Sequence, residues 1–141
     1  MAGHDRYGKR VLREATKGIG LHYGPSVEIK YGVGPPARID ATVDDIAVEI
    51  ESRVSKQVRG AVLDLICHTY PKKFLILLPV HMSSPEITAE QCRYIMRQYC
   101  PEDTFRVVVL KGSGDNHQLE QDAAKLAAVL ADLRNAGRPC G

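Results

Sequence analysis

Asp40 and Glu49 are the residues whose types and spacing point most directly to chemistry. They lie in a segment, 38–51, that alternates apolar and polar residues on either side of an Asp44-Asp45 pair, the pattern of two short strands joined by a tight turn. With Asp44 and Asp45 in the turn, Val43 faces Ile46, Thr42 faces Ala47, Ala41 faces Val48 and Asp40 faces Glu49. Directly opposed side chains have Cβ atoms about 4.5 to 5.5 Å apart, where like charges repel unless something compensates them. A divalent cation compensates two carboxylates well, and Mg²⁺, or Mn²⁺ in its place, favours such oxygen ligands. Phosphodiester hydrolysis needs charge neutralised on the scissile phosphate and an activated water, and a carboxylate-held Mg²⁺ supplies both. Asp40 and Glu49 are the expected ligands, with the backbone carbonyl of Ile50 as a third. Glu51 is placed to take the attacking water or a second ion. Lys56 and Arg59 open the helix that follows, where DNA phosphates gain from both the cations and the positive end of the helix dipole.

The same alternation places Ile39, Ala41, Val43, Ile46, Val48 and Ile50 on one apolar face, which fixes the register by demanding a core. Arg38, Asp40, Thr42, Ala47, Glu49 and Glu51 share the other face, where Arg38 opposite Glu51 also makes an ordinary cross-strand ion pair. Around this hairpin, 6–17 reads as a helix with a basic outer side, and 27–33 as a strand ended by Gly34-Pro35-Pro36. A helix from Ser55 carries Val58, Ala61, Val62, Leu65 and Ile66 inward. The run 74–78 is continuously apolar, as in a strand covered on both faces. Ser84-Pro85-Glu86 opens another helix, 105–110 is a further buried strand, and Leu119, Ala123, Leu126, Leu130 and Leu133 mark a last helix. The expected order is α-β-β-β-α-β-α-β-α in one α/β domain over 1–141: a mixed central sheet with helices on both faces.

With 141 residues the chain can bury a substantial core without staples. Cys67, Cys92, Cys100 and Cys140 lack the close paired spacing of a zinc site, so reduced thiols in a cytoplasmic protein are expected. No apolar run is long enough to span a membrane, and the polar stretch 3–10 argues against a signal peptide. A formal net charge of +2 does not by itself imply nucleic acid, but Arg6, Lys9, Arg10, Arg13 and Lys17 crowd into the first helix.

A helix, three meandering strands, a helix and a fourth strand, with an acid on the second strand and Glu-x-Glu on the third, resembles the restriction-endonuclease-like nuclease superfamily, written PD-(D/E)xK. The resemblance covers 6–78. It matches Asp40 to the family's metal-binding aspartate, Glu49 to its second acid, and Glu51 to the position where lysine is usual. Ile39 stands where the family has proline. Some members carry glutamate at the lysine position, and there the resemblance implies a residue that helps hold a metal and activate water. It also matches Glu14 to an accessory acid on the first helix, and it places Lys9 and Arg10 beside the site as DNA contacts. The function expected is a Mg²⁺-dependent DNA endonuclease of restriction, repair or junction-resolving type, expected to act as a homodimer.

Two other classes stay open. The same fold can serve as a non-catalytic DNA-binding or regulatory module, with Glu51 locked to Arg38. Alternatively, Gly112-Ser113-Gly114 between a strand and a helix can cradle a nucleotide or small molecule, although the segment lacks a Gly-Lys-Ser/Thr ending and reads more simply as a turn and helix cap, with Asp115 or Asn116 as N-cap.

Overall fold

A computed structural model describes residues 3–53, 55–112 and 116–136, with side chains over 6–53, 57–112 and 117–136. Asn116, Asp115, Ser113, Gly114 and the side chain of Lys56, all raised by the sequence, lie outside the described side chains. The elements in order are α1 (Gly3–Thr16), β1 (Leu21–His22), a 3-10 turn (Pro25–Val27), β2 (Glu28–Ile29), β3 (Ala37–Arg38), β4 (Ala41–Val43) and β5 (Ile46–Glu51). There follow α2 (Ser55–Cys67), β6 (Lys72–Leu77), α3 (Pro85–Arg97), β7 (Phe105–Val109) and α4 (Asn116–Asn135).

Five strands form one mixed sheet in the order β1-β4-β5-β6-β7, and β2 pairs with β3 in a separate ribbon. The first three strands of the sheet are antiparallel, whereas β6 and β7 run parallel to β5. Because strand side chains alternate, each strand serves two cores. Ile46, Val48 and Ile50 of β5, with Phe74 and Ile76 of β6, meet Tyr7, Val11 and Leu12 of α1 and Leu126, Leu130 and Leu133 of α4. Ala47, Leu75 and Leu77 face the opposite core with Val58, Val62 and Leu65 of α2, Cys92 and Met96 of α3, Ile29 of the ribbon, and Ile39 just after it. The helices are thus divided in pairs between the two faces.

The hairpin forms in the expected register, with Val43 on Ile46, Thr42 on Ala47 and Ala41 on Val48. Asp44 makes the turn in the left-handed region at φ 51°, a conformation aspartate tolerates better than most residues. Three expectations are corrected. The first sheet strand is Leu21–His22; of the stretch 27–33 only Glu28–Ile29 is strand, because Gly32 and Gly34 turn the chain at φ 83° and 68°. Arg38 pairs with Glu28 in the ribbon, not with Glu51, because the chain bends away from β5 at Asp40. Ile39 leaves the apolar face expected to hold it with Ala41 and Val43 and packs in the opposite core, where Thr42, Glu49 and Glu51 of the polar face are buried too, covered by α2 and the ribbon.

The open edge of β7 carries its own protection. The alternate carbonyls of Phe105, Val107 and Val109 accept from Arg106 Nη1 at 2.7 Å, Arg93 Nη2 at 2.7 Å and Lys125 Nζ at 2.8 Å. Cationic side chains on edge carbonyls leave an incoming strand fewer groups to pair with.

Candidate functional site

The carboxyl end of β5 brings Asp40 and Glu49 together through two crossed hydrogen bonds. The backbone N–H of Asp40 donates to Glu49 Oε1 at 2.8 Å, and the backbone N–H of Ile50 donates to Asp40 Oδ2 at 2.7 Å. Each acid therefore holds the other's strand, and the bend at Asp40 exchanges one ladder bond for a carboxylate contact. Because N–H and carbonyl of a strand residue point to the same side, the Ile50 carbonyl also faces the β4 side, towards Asp40. On the β6 side, Leu78 N–H donates to the Glu51 carbonyl at 2.9 Å.

Burial sets the electrostatics. Glu49 is 8% exposed, and its carboxyl is pushed up to about 9, first by burial, then by the charge of Asp40 and a side-chain hydrogen bond with it. Asp40 is also raised, by burial first, with Glu51 adding to the rise; the Ile50 amide, Glu49 and the charge of Lys9 pull the other way. Two carboxyl groups in one buried site cannot both ionise cheaply, so near neutral pH the pair holds one proton between them. With one oxygen of each committed to a backbone amide, Asp40 Oδ1 and Glu49 Oε2 remain for that proton or for a cation. Two carboxylates and a carbonyl suit Mg²⁺, which keeps several waters and takes its other oxygens from phosphate. No group of three or more His, Cys, Asp or Glu side chains is gathered in metal-binding geometry among the described residues.

Glu51 is engaged differently. Its Oε1 accepts from the Arg53 backbone N–H at 2.8 Å and from Arg53 Nε at 2.7 Å, and its Oε2 accepts from Arg53 Nη2 at 2.8 Å. Burial raises the carboxyl, but the Arg53 bonds and charge outweigh it and the net shift is downward. Glu51 is thus an ionised acid clasped by an arginine whose side chain is 67% exposed. Arg53 was missed by the sequence reading although its place two residues after Glu51 gave it the same face.

Glu14 is exposed and pairs with Lys17; among the described contacts none joins it to Asp40 or Glu49. The charge of Lys9, by contrast, does act on the site, lowering Asp40. Arg6, Lys9, Arg10 and Arg13 line one side of a groove of about 290 Å³, and Tyr23 closes the other. Lys9 Nζ stands 5.4 Å from the centre of the Tyr23 ring, and Arg38 Nη2 donates to the Tyr23 carbonyl at 3.1 Å. Burial pushes the Tyr23 phenol up, the charge of Arg13 opposes that shift and the charge of Asp40 adds to it. Tyr23, a lone aromatic in a connecting segment, carries no periodic signal by which sequence could have found it. Arg59 is exposed on α2.

The loop after β7 offers little to a phosphate. The amides of Lys111 and Gly112 both donate to the buried Asp122 carboxylate at 2.9 Å, which also accepts from Tyr7 Oη at 2.6 Å. A carboxylate of this chain already occupies the position an anion would take. His68 is likewise committed, with Nε2 on the Ser26 carbonyl at 2.7 Å and Nδ1 accepting the Tyr70 N–H at 3.1 Å.

No family model, curated protein or solved structure matches the chain. No helix among the described residues is long and apolar enough to cross a membrane.

Proposed function

We propose that this chain is a metal-dependent DNA endonuclease of the restriction-endonuclease-like type. The observation that carries the reading is half-buried Asp40 interlocked with buried Glu49 by crossed hydrogen bonds between the start of β4 and β5, with α1 and its basic stripe packed on the neighbouring Ile50. An acid pair with an elevated proton affinity is a poor surface feature but a sound receptor for a divalent cation. The sheet's connectivity supports the same reading: α1, the antiparallel strands β1, β4 and β5 with the β2–β3 ribbon inserted after β1, then α2, and β6 parallel to β5.

Asp40 and Glu49, with the Ile50 carbonyl, would hold Mg²⁺, which when bound neutralises charge on the scissile phosphate and lowers the pKa of a water. The chain's own residues do the rest. The crossed hydrogen bonds fix both carboxylates before any ligand arrives. Lys9 and Arg10 receive the phosphate backbone on one side of the acids, and Arg59 of α2 receives it on another. Glu51 keeps Arg53 oriented by two parallel contacts, a geometry in which guanidinium is strongly directed.

Cleavage of duplex, branched and single-stranded DNA with Mg²⁺ or Mn²⁺ is the test. Wild type should cut at least one of these, and Asp40→Asn and Glu49→Gln should each abolish cutting together with calorimetric metal binding. Equal metal affinity in all three proteins would remove the basis of the reading. The Glu51–Arg53 clasp favours a second reading, a DNA-binding module of the same fold that does not cut, because both Glu51 oxygens are already occupied. Wild type that binds DNA but cuts with neither metal would establish it.

A further inference from the structure

Tyr23 is 42% exposed at the mouth of a groove whose opposite wall is a helix carrying Arg6, Lys9, Arg10 and Arg13. Those four residues fall at helical spacings of three, one and three, so they form one stripe along the groove. At about 290 Å³ the groove stands at the small end of ligand sites, roughly 300 Å³ upward. A duplex is far too broad for such a slot, and its bases present only their edges, their faces being stacked on neighbours. A tyrosine ring can stack only on a base that has left the helix. The cations supply what such a strand needs along its backbone, and Gly8, next to Lys9 on α1, packs on Ile50, the neighbour of Glu49, which sets the groove near the acid pair.

We propose that the groove between α1 and Tyr23 is a subsite for one unpaired nucleotide of a DNA strand, with its base on the Tyr23 ring and its phosphates on Arg6, Lys9 and Arg13. The inference deepens the nuclease reading by naming its substrate: DNA with an unpaired segment next to the cut. Lys9, whose Nζ stands 5.4 Å over the ring in the free protein, gives that place to the base and moves to the phosphate when the strand binds.

The test is fluorescence anisotropy in EDTA, with a labelled single strand, a duplex bearing a single-stranded flap, and a blunt duplex. Wild type should prefer the first two. Tyr23→Ala should weaken those two by roughly 5- to 100-fold, the range expected for losing one stacked base, and leave the blunt duplex unchanged. Tyr23→Phe, which keeps the ring, should bind as wild type does, whereas Tyr23→Leu, which keeps bulk without a π-face, should resemble Tyr23→Ala. Arg6→Ala combined with Arg13→Ala should flatten the slope of log affinity against log salt by roughly 1.4 on single strands, about 0.7 for each contact. Wild-type affinity in Tyr23→Leu, or equal losses on single strand and blunt duplex, would overturn the subsite. Since no metal is present, the result is independent of cleavage. Protein that grips an unpaired strand through Tyr23 but never cuts sinks the nuclease reading alone; protein that cuts while ignoring Tyr23 sinks the subsite alone.

Discussion

Glu49→Gln should make the metal-free protein more stable, and increasingly so as pH rises. The folded-state carboxyl of Glu49 is pushed to about 9 from an ordinary 4.5. Between those values the folded chain holds a proton that the unfolded chain has released, so stability from this group is full below pH 4.5 and is lost as pH rises towards 9. At about 1.4 kcal/mol per unit, the cost at pH 7 has an upper bound of roughly 3.5 kcal/mol, and little of it is present at pH 5. Glutamine copies the protonated acid: its oxygen keeps the Asp40 amide bond, and its NH₂ can donate to the Asp40 carboxylate. Urea unfolding of both proteins in EDTA across pH 5 to 8.5 reads the effect as a difference, which cancels other titrating groups. That cancellation matters, because burial lowers His68, a shift whose stability is present above its ordinary 6.5 and lost as pH falls. A difference that stays flat with pH, or a glutamine variant that is the less stable at every pH, would refute the shared proton and with it the electrostatic argument for a cation.

Other outcomes follow from the same geometry. Arg59→Ala should lower the salt slope of duplex binding by roughly 0.9 if Arg59 meets one phosphate, and an unchanged slope would place the duplex elsewhere. In Gly8→Ala the added Cβ would stand 2.6 Å from Ile50 Cγ2; crowding of 1 to 3 kcal/mol against roughly 1 kcal/mol of helix propensity predicts a net loss of about 1 kcal/mol by urea unfolding. Arg93→Ala combined with Lys125→Ala uncovers the Val107 and Val109 carbonyls, so light scattering should detect concentration-dependent association that wild type lacks through this edge.

The hairpin was legible because two local signals agreed: alternation from Ala41 to Val48, and an Asp-Asp pair where a turn was required. The run 74–78 was legible for a similar reason, since a strand with two covered faces leaves no polar face to hide. What sequence could not show was where the alternation stops mattering. Asp40 still faces Glu49, but the backbone bond there runs to a side chain, and one residue later in the outward direction Ile39 serves the other core. Extending the period through Asp40 produced the Arg38–Glu51 pair that the structure replaces with Arg53–Glu51. Likewise, that Glu49 and Glu51 are buried depends on α2 and on a ribbon whose halves are eight residues apart or more, a long-range fact that no local pattern carries.

The position of the basic groove follows from the core rather than from its charges. Tyr7, Val11 and Leu12 seat α1 on the sheet; Gly8 lets the helix come close to Ile50, and the Tyr7 hydroxyl on Asp122 holds its other side. Ile50 lies between Glu49 and Glu51 in β5, with its side chain on the opposite face of the sheet. A helix that packs on Ile50 must therefore pass the end of the sheet where the acids are held, and its outward stripe of Arg6, Lys9, Arg10 and Arg13 arrives there with it. The stripe is set beside the acids by a shared apolar residue, so a polyanion and its counter-cation would meet the two groups on one end of the sheet.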